Sequence, residues 1–538
     1  MLLTFLIVPG FPGRARNSSL RRVRLKCLFT QMSMTWPRCS GILLHPTSLP
    51  GGWGIGDLGA ASRQWVDFLA QADQRLWQIL PLGPTGYGNS PYLSYSAMAG
   101  NPLLISLEPL QERGWLPKEL APPQLPAQRV DYDAVYLHKM PLLRLAWHYF
   151  QQDRAAMASL EAFIQEQAHW LADFSLFMAL KEAHAGQPWY DWEPALAQRD
   201  PQTLARWQDQ VRPAQAFHCF LQYLFWEQWR ELRAYAHARQ VRIIGDLPIY
   251  VAHDSADVWA HPEFFAIDRE TGQVTFMAGV PPDYFSKTGQ LWGNPVYNWD
   301  VLAETHFAWW VQRFRQLLQL VDIVRIDHFR GLESFWRVPQ GETTAINGEW
   351  VPAPGADLLR TLQQELGELP IIVEDLGVIT PEVEALRDAF QLPGTKVLQF
   401  AFDGNPENPF LTYNFTPHCV VYTGTHDNPP TVAWYEALEP ETQRRVIRYL
   451  GHLSAHGIHW DLIRLGMMSV ARWCIVPLQD VLGLGSEGRM NAPGAANGNW
   501  EWRCPPDRLT ADLAAKLAQL THTYGRAHQP WETADPSR

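Results

Sequence analysis

Cysteine is scarce in this chain of 538 residues, and none of its six cysteines forms a CxxC pair. Scattered single cysteines argue against a disulfide framework or a cysteine-ligated zinc site, and they are typical of reduced thiols in the cytosol. We therefore predict a cytoplasmic protein.

The sequence also lacks an excess of positive charge and any long apolar run. Its formal net charge is −11 at pH 7, which disfavours a role in nucleic-acid binding. No stretch reaches the roughly 18 uninterrupted apolar residues of a membrane-spanning helix, so we predict no membrane span.

The N-terminal segment differs in composition from the rest of the chain. A short apolar run comes first and a basic stretch follows, which is the reverse of the order in a secretory signal. We interpret 1–33 as an unstructured leader and 34–538 as the folded part of the protein.

Aromatic side chains are abundant: the sequence has 25 Trp, 17 Tyr and 24 Phe. Many of them are expected to pack in the core. Flat apolar rings also match the faces of sugar rings, so the abundance favours a carbohydrate ligand over other small molecules.

Short apolar runs recur along the chain, and each is followed by residues that favour turns. Helical patterns separate most of them, as in "SRQWVDFLAQADQ". Alternation of buried strands and helices predicts a parallel sheet, and eight strands favour a closed (β/α)8 barrel of the α/β class. The eight runs are 41–52, 75–86, 241–251, 321–331, 369–377, 395–404, 419–428 and 474–483.

Two segments do not fit a simple barrel. Residues 84–240 are far too long for one loop, and their amphipathic patterns predict a large, mostly helical insertion between strands 2 and 3. Residues 279–299 are dense in Gly, Pro and aromatic residues, which predicts a long irregular loop beside the functional site.

Polar residues follow the apolar part of several strands. Arg325 and Asp327 are two residues apart, so both face the same side at the end of "IVRID", and Asp246 and Glu374 occupy similar positions on other strands. The sequence "TGTHDN" adds His426 and Asp427. Because functional sites of such barrels form at the carboxyl ends of the strands, we expect these side chains to meet.

A set of close carboxyl groups has a chemical consequence. Like charges repel, so one carboxyl is expected to keep its proton near neutral pH, as the general acid of glycosidic-bond cleavage must. Asp327 beside Arg325 should stay ionised and suits a nucleophile. Glu374 follows three apolar residues, so burial should raise its pKa and suit it to the acid role.

Structural alternatives exist for each of these residues. An Asp at a strand end is most often a helix N-cap or part of a loop ion pair. Four strands that all end in this way are harder to explain by such structural roles. His426 beside Asp427 could ligate a metal, but the sequence has no HxH or HExxH spacing. The sequence also has no GxxxxGK[ST] phosphate loop.

Longer motifs are more specific than these single residues. Through them the chain resembles the amylomaltases, the 4-α-glucanotransferases of the α-amylase clan of glycoside hydrolases, from about residue 38 to 520. The motifs are "GILLHPTSLPGGWGIGDLG", "GNSPYLSYSAMAGNP", "GDLPIYVAHDSADVW", "GVPPDYFSKTGQLWGNPVYNW", "VRIDHFRG", "VEDLG", "TGTHDN" and "GRMNAPG".

The resemblance implies a role for each matching residue. Asp327 matches the nucleophile that forms a covalent glucosyl-enzyme intermediate, Glu374 the acid/base, and Asp427 the transition-state stabiliser. Arg325 matches the arginine that holds the nucleophile. The resemblance implies substrate contacts for Ser90, Tyr92, Asp246, Gln290, Trp292, His426 and Asn491.

The expected activity is therefore transfer of α-1,4-glucan segments between maltooligosaccharides or amylose, with retention of configuration and without a cofactor. We expect the loop 279–299 to exclude water from the site with Tyr284, Phe285 and Trp292. Two alternatives remain open from the sequence: a plain α-glucan hydrolase, and a catalytically silent glucan-binding protein.

Overall fold

Short runs of β-branched and aliphatic residues form the strands. The computed structural model describes residues 37–282, 286–495 and 497–527. In chain order the strands are β1 Cys39–Leu43, β2 Leu76–Gln78, β3 Arg242–Leu247, β4 Phe276–Val280, β5 Gln290–Pro295, β6 Ile323–Ile326, β7 Ser334–Pro339, β8 Glu349–Pro352, β9 Ile371–Val373, β10 Gly394–Val397, β11 Cys419–Tyr422 and β12 Trp473–Pro477.

Eight of these strands form a closed barrel in the order β1-β2-β3-β6-β9-β10-β11-β12, and β12 pairs in parallel with β1. Each barrel strand overlaps one of the eight apolar runs of the sequence. The prediction of a (β/α)8 barrel is therefore confirmed. All the barrel strands are parallel, so their carboxyl ends meet at one rim.

Helices surround the barrel and fill the insertion. The insertion contains α2 to α7, and the remaining helices lie elsewhere in the described chain. In chain order they are α1 Ala60–Gln71, α2 Glu108–Glu112, α3 Tyr132–Phe150, α4 Arg154–Glu166, α5 Ala168–Ala183, α6 Pro194–Ala197, α7 Pro201–Ala238, α8 Ala256–Ala260, α9 Trp299–Glu304, α10 Ala308–Leu320, α11 Gly355–Leu366, α12 Pro381–Ala389, α13 Thr431–Glu436, α14 Pro440–Leu450, α15 Ile458–Met468, α16 Leu478–Val481 and α17 Ala511–Thr523.

The large, mostly helical insertion lies between the second and third barrel strands, as predicted. Its longest helix, α7, binds the irregular segment that follows β2. The amide of Gln222 exchanges two hydrogen bonds with the backbone of Gly100, at 2.8 and 2.9 Å. Gln228 does the same with Ser106, at 2.7 and 3.0 Å. These buried amides hold in place the segment that begins with the "GNSPY" motif.

A second, antiparallel sheet has the order β5-β4-β7-β8. The interpretation of 279–299 as an irregular loop is corrected here, because residues 279–280 belong to β4 and residues 290–295 form β5. A Cβ at Gly279 would lie 2.4 Å from the carbonyl oxygen of Gln290. This glycine therefore serves a close approach of two strands rather than a turn.

Some of the predictions lie outside the described residues: the leader 1–33 and the side chains of Tyr284 and Phe285. Among the residues that are described, no helix combines the length and the apolar character needed to cross a bilayer.

Candidate active site

Four barrel strands place polar residues together at the carboxyl rim. Asp246 of β3 lies directly opposite Arg325 of β6 in the sheet register. Glu374 follows β9 at once, and its backbone N–H donates to the carbonyl oxygen of Ile326 at 2.9 Å. His426 follows β11, and the hydroxyl of Tyr92 connects it to Asp246 at the same rim.

Arg325 joins two carboxylates. Its Nη1 donates to both oxygens of Asp246, at 2.7 and 2.8 Å, and to Oδ1 of Asp327 at 2.9 Å. The guanidinium is almost fully buried, as is Asp246, whereas the side chain of Asp327 is 28% exposed. The buried cation orients both carboxyl groups through these hydrogen bonds, so Asp327 is held in place and open on one side.

Glu374 is held by backbone amides instead of by a cation. The N–H of His328 donates to Oε2 at 2.7 Å, and the N–H of Leu376 donates to Oε1 at 2.9 Å. Burial and, next to it, the nearby charge of Asp327 raise the pKa of Glu374 to about 8, although Arg325 opposes this rise. Glu374 therefore holds a proton at neutral pH.

Tyr92 connects two walls of the site. Its hydroxyl donates to Oδ2 of Asp246 at 2.6 Å, and Nε2 of His426 lies 2.9 Å from the same oxygen. Because the single hydroxyl hydrogen is used by Asp246, His426 is the donor to Tyr92, which assigns a proton to Nε2. The two rings also stack, with centroids 5.3 Å apart.

Asp427 is the most exposed of the predicted carboxylates, with 46% of its side chain exposed. Nδ2 of Asn491 donates to its Oδ1 at 2.6 Å, and Arg489 donates to its backbone oxygen at 3.3 Å. The backbone N–H of Asn491 also donates to the carbonyl oxygen of His426. The "GRMNAPG" segment thus fixes both residues of the His-Asp pair.

The predicted Gln290 and Trp292 come from β5. Nε1 of Trp292 donates to the side-chain oxygen of Gln290 at 3.2 Å, and its ring meets the ring of His328 edge-on at 4.9 Å between centroids. Strand β5 therefore places Trp292 against the residue that follows Asp327. Burial lowers the pKa of His328 to about 4, so this imidazole is neutral at pH 7.

The predicted site residue Ser90 and Asp375, the neighbour of Glu374, make contacts that support the local structure. The hydroxyl of Ser90 accepts a hydrogen bond from the backbone N–H of Tyr92 at 3.3 Å, which shapes the turn before Tyr92. Asp375, next to Glu374, forms an ion pair with Arg387 at 2.7 Å and accepts from the N–H of Thr395. Its direction is opposite to that of Glu374, as alternation along an extended chain requires.

Trp500 is a site residue that sequence reasoning missed. Its ring lies 5.7 Å from that of Tyr92 and 6.0 Å from that of His426, and it is 7% exposed. Its backbone has a φ of +67°, which is rare for a bulky residue. Its backbone N–H donates to the carbonyl of Met490 at 2.7 Å. Nothing in the sequence indicates this conformation, because it depends on those distant contacts.

Possible metal ligands are not clustered: within the described ranges, no group of three or more His, Cys, Asp or Glu side chains is arranged to hold a metal ion.

Comparison with known proteins identifies relatives along nearly the whole chain. Residues 44–510 match the family model described as 4-alpha-glucanotransferase, glycoside hydrolase family 77. The sequence is 58% identical over 496 residues to the 4-alpha-glucanotransferase of Synechocystis sp., covering 91% of this chain and 98% of that protein. It is 51% identical over 505 residues to the 4-alpha-glucanotransferase of Thermus thermophilus, covering 92% and 100%.

A solved structure gives the same result. The fold is similar to that of amylomaltase from Streptococcus agalactiae in complex with acarbose, with a TM-score of 0.89 and 39% sequence identity. The similarity covers 91% of this chain and 100% of that one. The sequence and the fold therefore point to the same family.

Proposed function

Since the chain belongs to the 4-α-glucanotransferase family, glycoside hydrolase family 77, we propose that it works by a retaining double displacement with Asp327 as nucleophile and Glu374 as acid/base. The enzyme moves α-1,4-glucan segments from a donor to an acceptor glucan, and its resemblance to the amylomaltases is confirmed. The assignment of residues to steps is the proposal.

The first step needs a charged nucleophile and a protonated acid at the same linkage. Asp327 receives a hydrogen bond from the buried Arg325, which orients it for attack. Glu374, with a pKa of about 8, donates its proton to the oxygen of the leaving glucan as Asp327 attacks the anomeric carbon. The observation that best supports the mechanism is geometric: Asp327, held by Arg325, and Glu374, held by the backbone N–H of His328, lie together at one rim of the barrel.

The second step reverses the roles. Glu374, now ionised, removes the proton from the 4-hydroxyl of an acceptor glucan, and that oxygen attacks the glucosyl-enzyme intermediate. The two inversions together retain the α-configuration. We expect the two carboxyl groups to lie about 5–5.5 Å apart, as in retaining enzymes.

The remaining polar residues are suited to hold the donor sugar. We assign Asp427 to stabilise the transition state, with Asn491 and His426 fixing its position and His426 binding the same sugar. Tyr92 and Asp246 form the opposite wall. We also assign Ser90, Gln290 and Trp292 to substrate contact, and the position of Trp292 against His328 supports its assignment.

Transfer competes with hydrolysis, so the acceptor must reach the intermediate better than water does. We propose that the segment 279–299 limits the access of water to the intermediate. Among the described residues of this segment, Trp292 is the side chain that we assign to this role. The chemistry uses carboxyl groups only and requires no cofactor. Maltooligosaccharides and amylose are the proposed substrates, and a cytoplasmic location is supported by the unpaired thiols of five cysteines in the described chain.

Incubation with maltotriose tests the transfer reaction, and a fluorinated donor tests the nucleophile. Transfer produces a ladder of shorter and longer glucans, whereas hydrolysis produces only shorter sugars. A 5-fluoro-α-glucosyl fluoride donor should leave a covalent sugar on the peptide that contains Asp327, detected by mass spectrometry. Asp327→Ala should lose both the ladder and the label, and a label on another carboxylate would overturn the assignment.

A further inference from the structure

Trp350 is exposed in a protein whose tryptophans are mostly buried. Its relative exposure is 36%, whereas Trp65, Trp77, Trp226 and Trp229 are fully buried. Trp350 lies on β8, an edge strand of the antiparallel sheet that also contains Trp292. A large aromatic ring on an edge strand leaves apolar surface in water, which a ligand could cover.

The ring of Trp350 is held in a defined orientation. The guanidinium carbon of Arg330 lies 3.7 Å from the ring centroid, and the ring of Trp336 meets it edge-on at 5.2 Å. Arg330 is itself only 5% exposed, and its Nη2 donates to Ser334 at 3.1 Å. The buried cation and the T-shaped contact with Trp336 therefore hold the ring in place while about a third of the residue stays exposed to solvent.

Arg330 connects this ring to the segment that contains Glu374. Its Nη1 donates to the carbonyl oxygen of Val378, four residues after Glu374, and the side chain of Val378 is 54% exposed. The backbone N–H of Phe329, next to Arg330, donates to the carbonyl oxygen of Glu374 at 3.0 Å. Arg330 therefore links two exposed apolar residues, Trp350 and Val378, to the segment that carries Glu374.

Whether Trp350 and Val378 lie on the donor side or the acceptor side of the site determines which glucan they can bind. In the proposed mechanism, Glu374 transfers its proton to and from the glucan that leaves or attacks, so the segment 374–378 borders the acceptor side. The donor sugar is assigned to the wall formed by Tyr92 and Asp246 and to Asp427. A ring joined to this segment through Arg330 is then expected to meet an acceptor chain of several glucose units rather than a single glucose.

We propose that Trp350, together with Val378, is a distal acceptor-side subsite that stacks on one glucose ring of a long acceptor chain. This inference rests on the proposed function. The flat C–H face of a glucose unit matches an aromatic face, and the neighbouring Arg330 keeps the ring from rotating away. The subsite makes the enzyme prefer long acceptors over short ones.

The experiment compares acceptors of different length with one fixed donor. α-Maltotriosyl fluoride forms the glycosyl-enzyme without a leaving sugar, so the acceptor side is left for glucose, maltotriose or maltohexaose. For Trp350→Ala we expect the ratio of kcat/KM for maltohexaose to that for glucose to fall about fivefold relative to the unmodified protein. Trp350→Phe, which keeps an aromatic face, should recover part of this ratio.

Tyr413 offers a matched control, since it is 62% exposed and lies in a different segment. Tyr413→Ala should leave the ratio unchanged. An equal loss with glucose and maltohexaose for Trp350→Ala would show that the ring only supports Arg330 and would overturn the proposal, as would no change at any length. Absence of transfer by the unmodified protein would instead overturn the proposed mechanism.

Discussion

The backbone N–H of His328 donates to Oε2 of Glu374 at 2.7 Å, so the residue that follows Asp327 holds the second carboxyl group. The adjacent Phe329 N–H donates to the backbone oxygen of the same glutamate at 3.0 Å. The relative position of the two carboxyls is therefore set by backbone hydrogen bonds between the ends of β6 and β9. Such a connection is more rigid than one between two loops.

Replacing the acid tests its role directly. Glu374→Gln should reduce kcat on maltotriose by about 10²–10⁴-fold, because the amide cannot donate the proton to the leaving glucan. With α-maltotriosyl fluoride the first step should survive, since fluoride departs without a proton, and fluoride release measures this step. An equal loss with both donors would contradict the acid role.

The pH profile follows from the raised pKa of Glu374. Because the acid must be protonated, kcat/KM on maltotriose should fall above about pH 8 and approach a tenfold loss per pH unit. The same profile measured with α-maltotriosyl fluoride should lack this alkaline fall. A fall that begins near pH 5 with maltotriose would show that Glu374 is ionised in the free enzyme.

Stability should also depend on the ionisation of Glu374. Its pKa rises from 4.5 to about 8 on folding, so between these values the folded protein holds a proton that the unfolded chain has released. The contribution of this group to the free energy of unfolding therefore decreases as pH rises through that window. Glu374→Gln cannot ionise, so its Tm relative to the unmodified protein should increase from pH 5 to pH 8.5. A Tm difference that is constant with pH would contradict the raised pKa.

Asn491 should be essential as a neutral donor to Asp427. In Asn491→Asp a second carboxylate would face Oδ1 of Asp427 across the present 2.6 Å contact, and the repulsion would displace one of them. We expect Asn491→Asp to lose about tenfold or more in kcat near pH 7 and to recover part of it at lower pH, where the pair shares a proton. Asn491→Ala is the control, and its loss should not depend on pH in this way.

The left-handed backbone of Trp500 predicts an unusual order of stability. Trp500→Ala should destabilise by about 3–5 kcal/mol, because a buried ring that packs on Tyr92 and His426 is lost. Trp500→Gly should be about 1 kcal/mol less destabilised than Trp500→Ala, because only glycine adopts φ of +67° without strain. Urea unfolding measures both.

The helical Trp434 of α13 supplies the control for this order. There Trp434→Gly should be about 1 kcal/mol less stable than Trp434→Ala, since glycine disfavours a helix interior. The same order at both positions would show that the backbone of Trp500 is not strained.

Much of the barrel and the rim positions of Asp246, Asp327 and Glu374 were predictable because their signals are local. Buried parallel strands need continuous apolar residues, so runs such as that of β6 stand out, and a charged residue at the end of such a run indicates the rim. The two-residue spacing of Arg325 and Asp327 was enough to place both on one face. The strands β4 and β5 were not predicted. Their glycines and prolines allow close approach of the strands and end the sheet, and composition alone does not distinguish such glycines and prolines from those of turns.

By itself, the sequence determined the kind of barrel, its helical insertion and the residues able to supply an acid and a nucleophile, since periodicity and residue chemistry are properties of short segments. Only the tertiary structure decided that Glu374 turns into the site while Asp375 turns towards Arg387. It also decided that His328 is a backbone donor, and that Trp500 packs against Tyr92 and His426. The physical reason is that burial, hydrogen bonding and pKa depend on neighbours that lie far away along the chain.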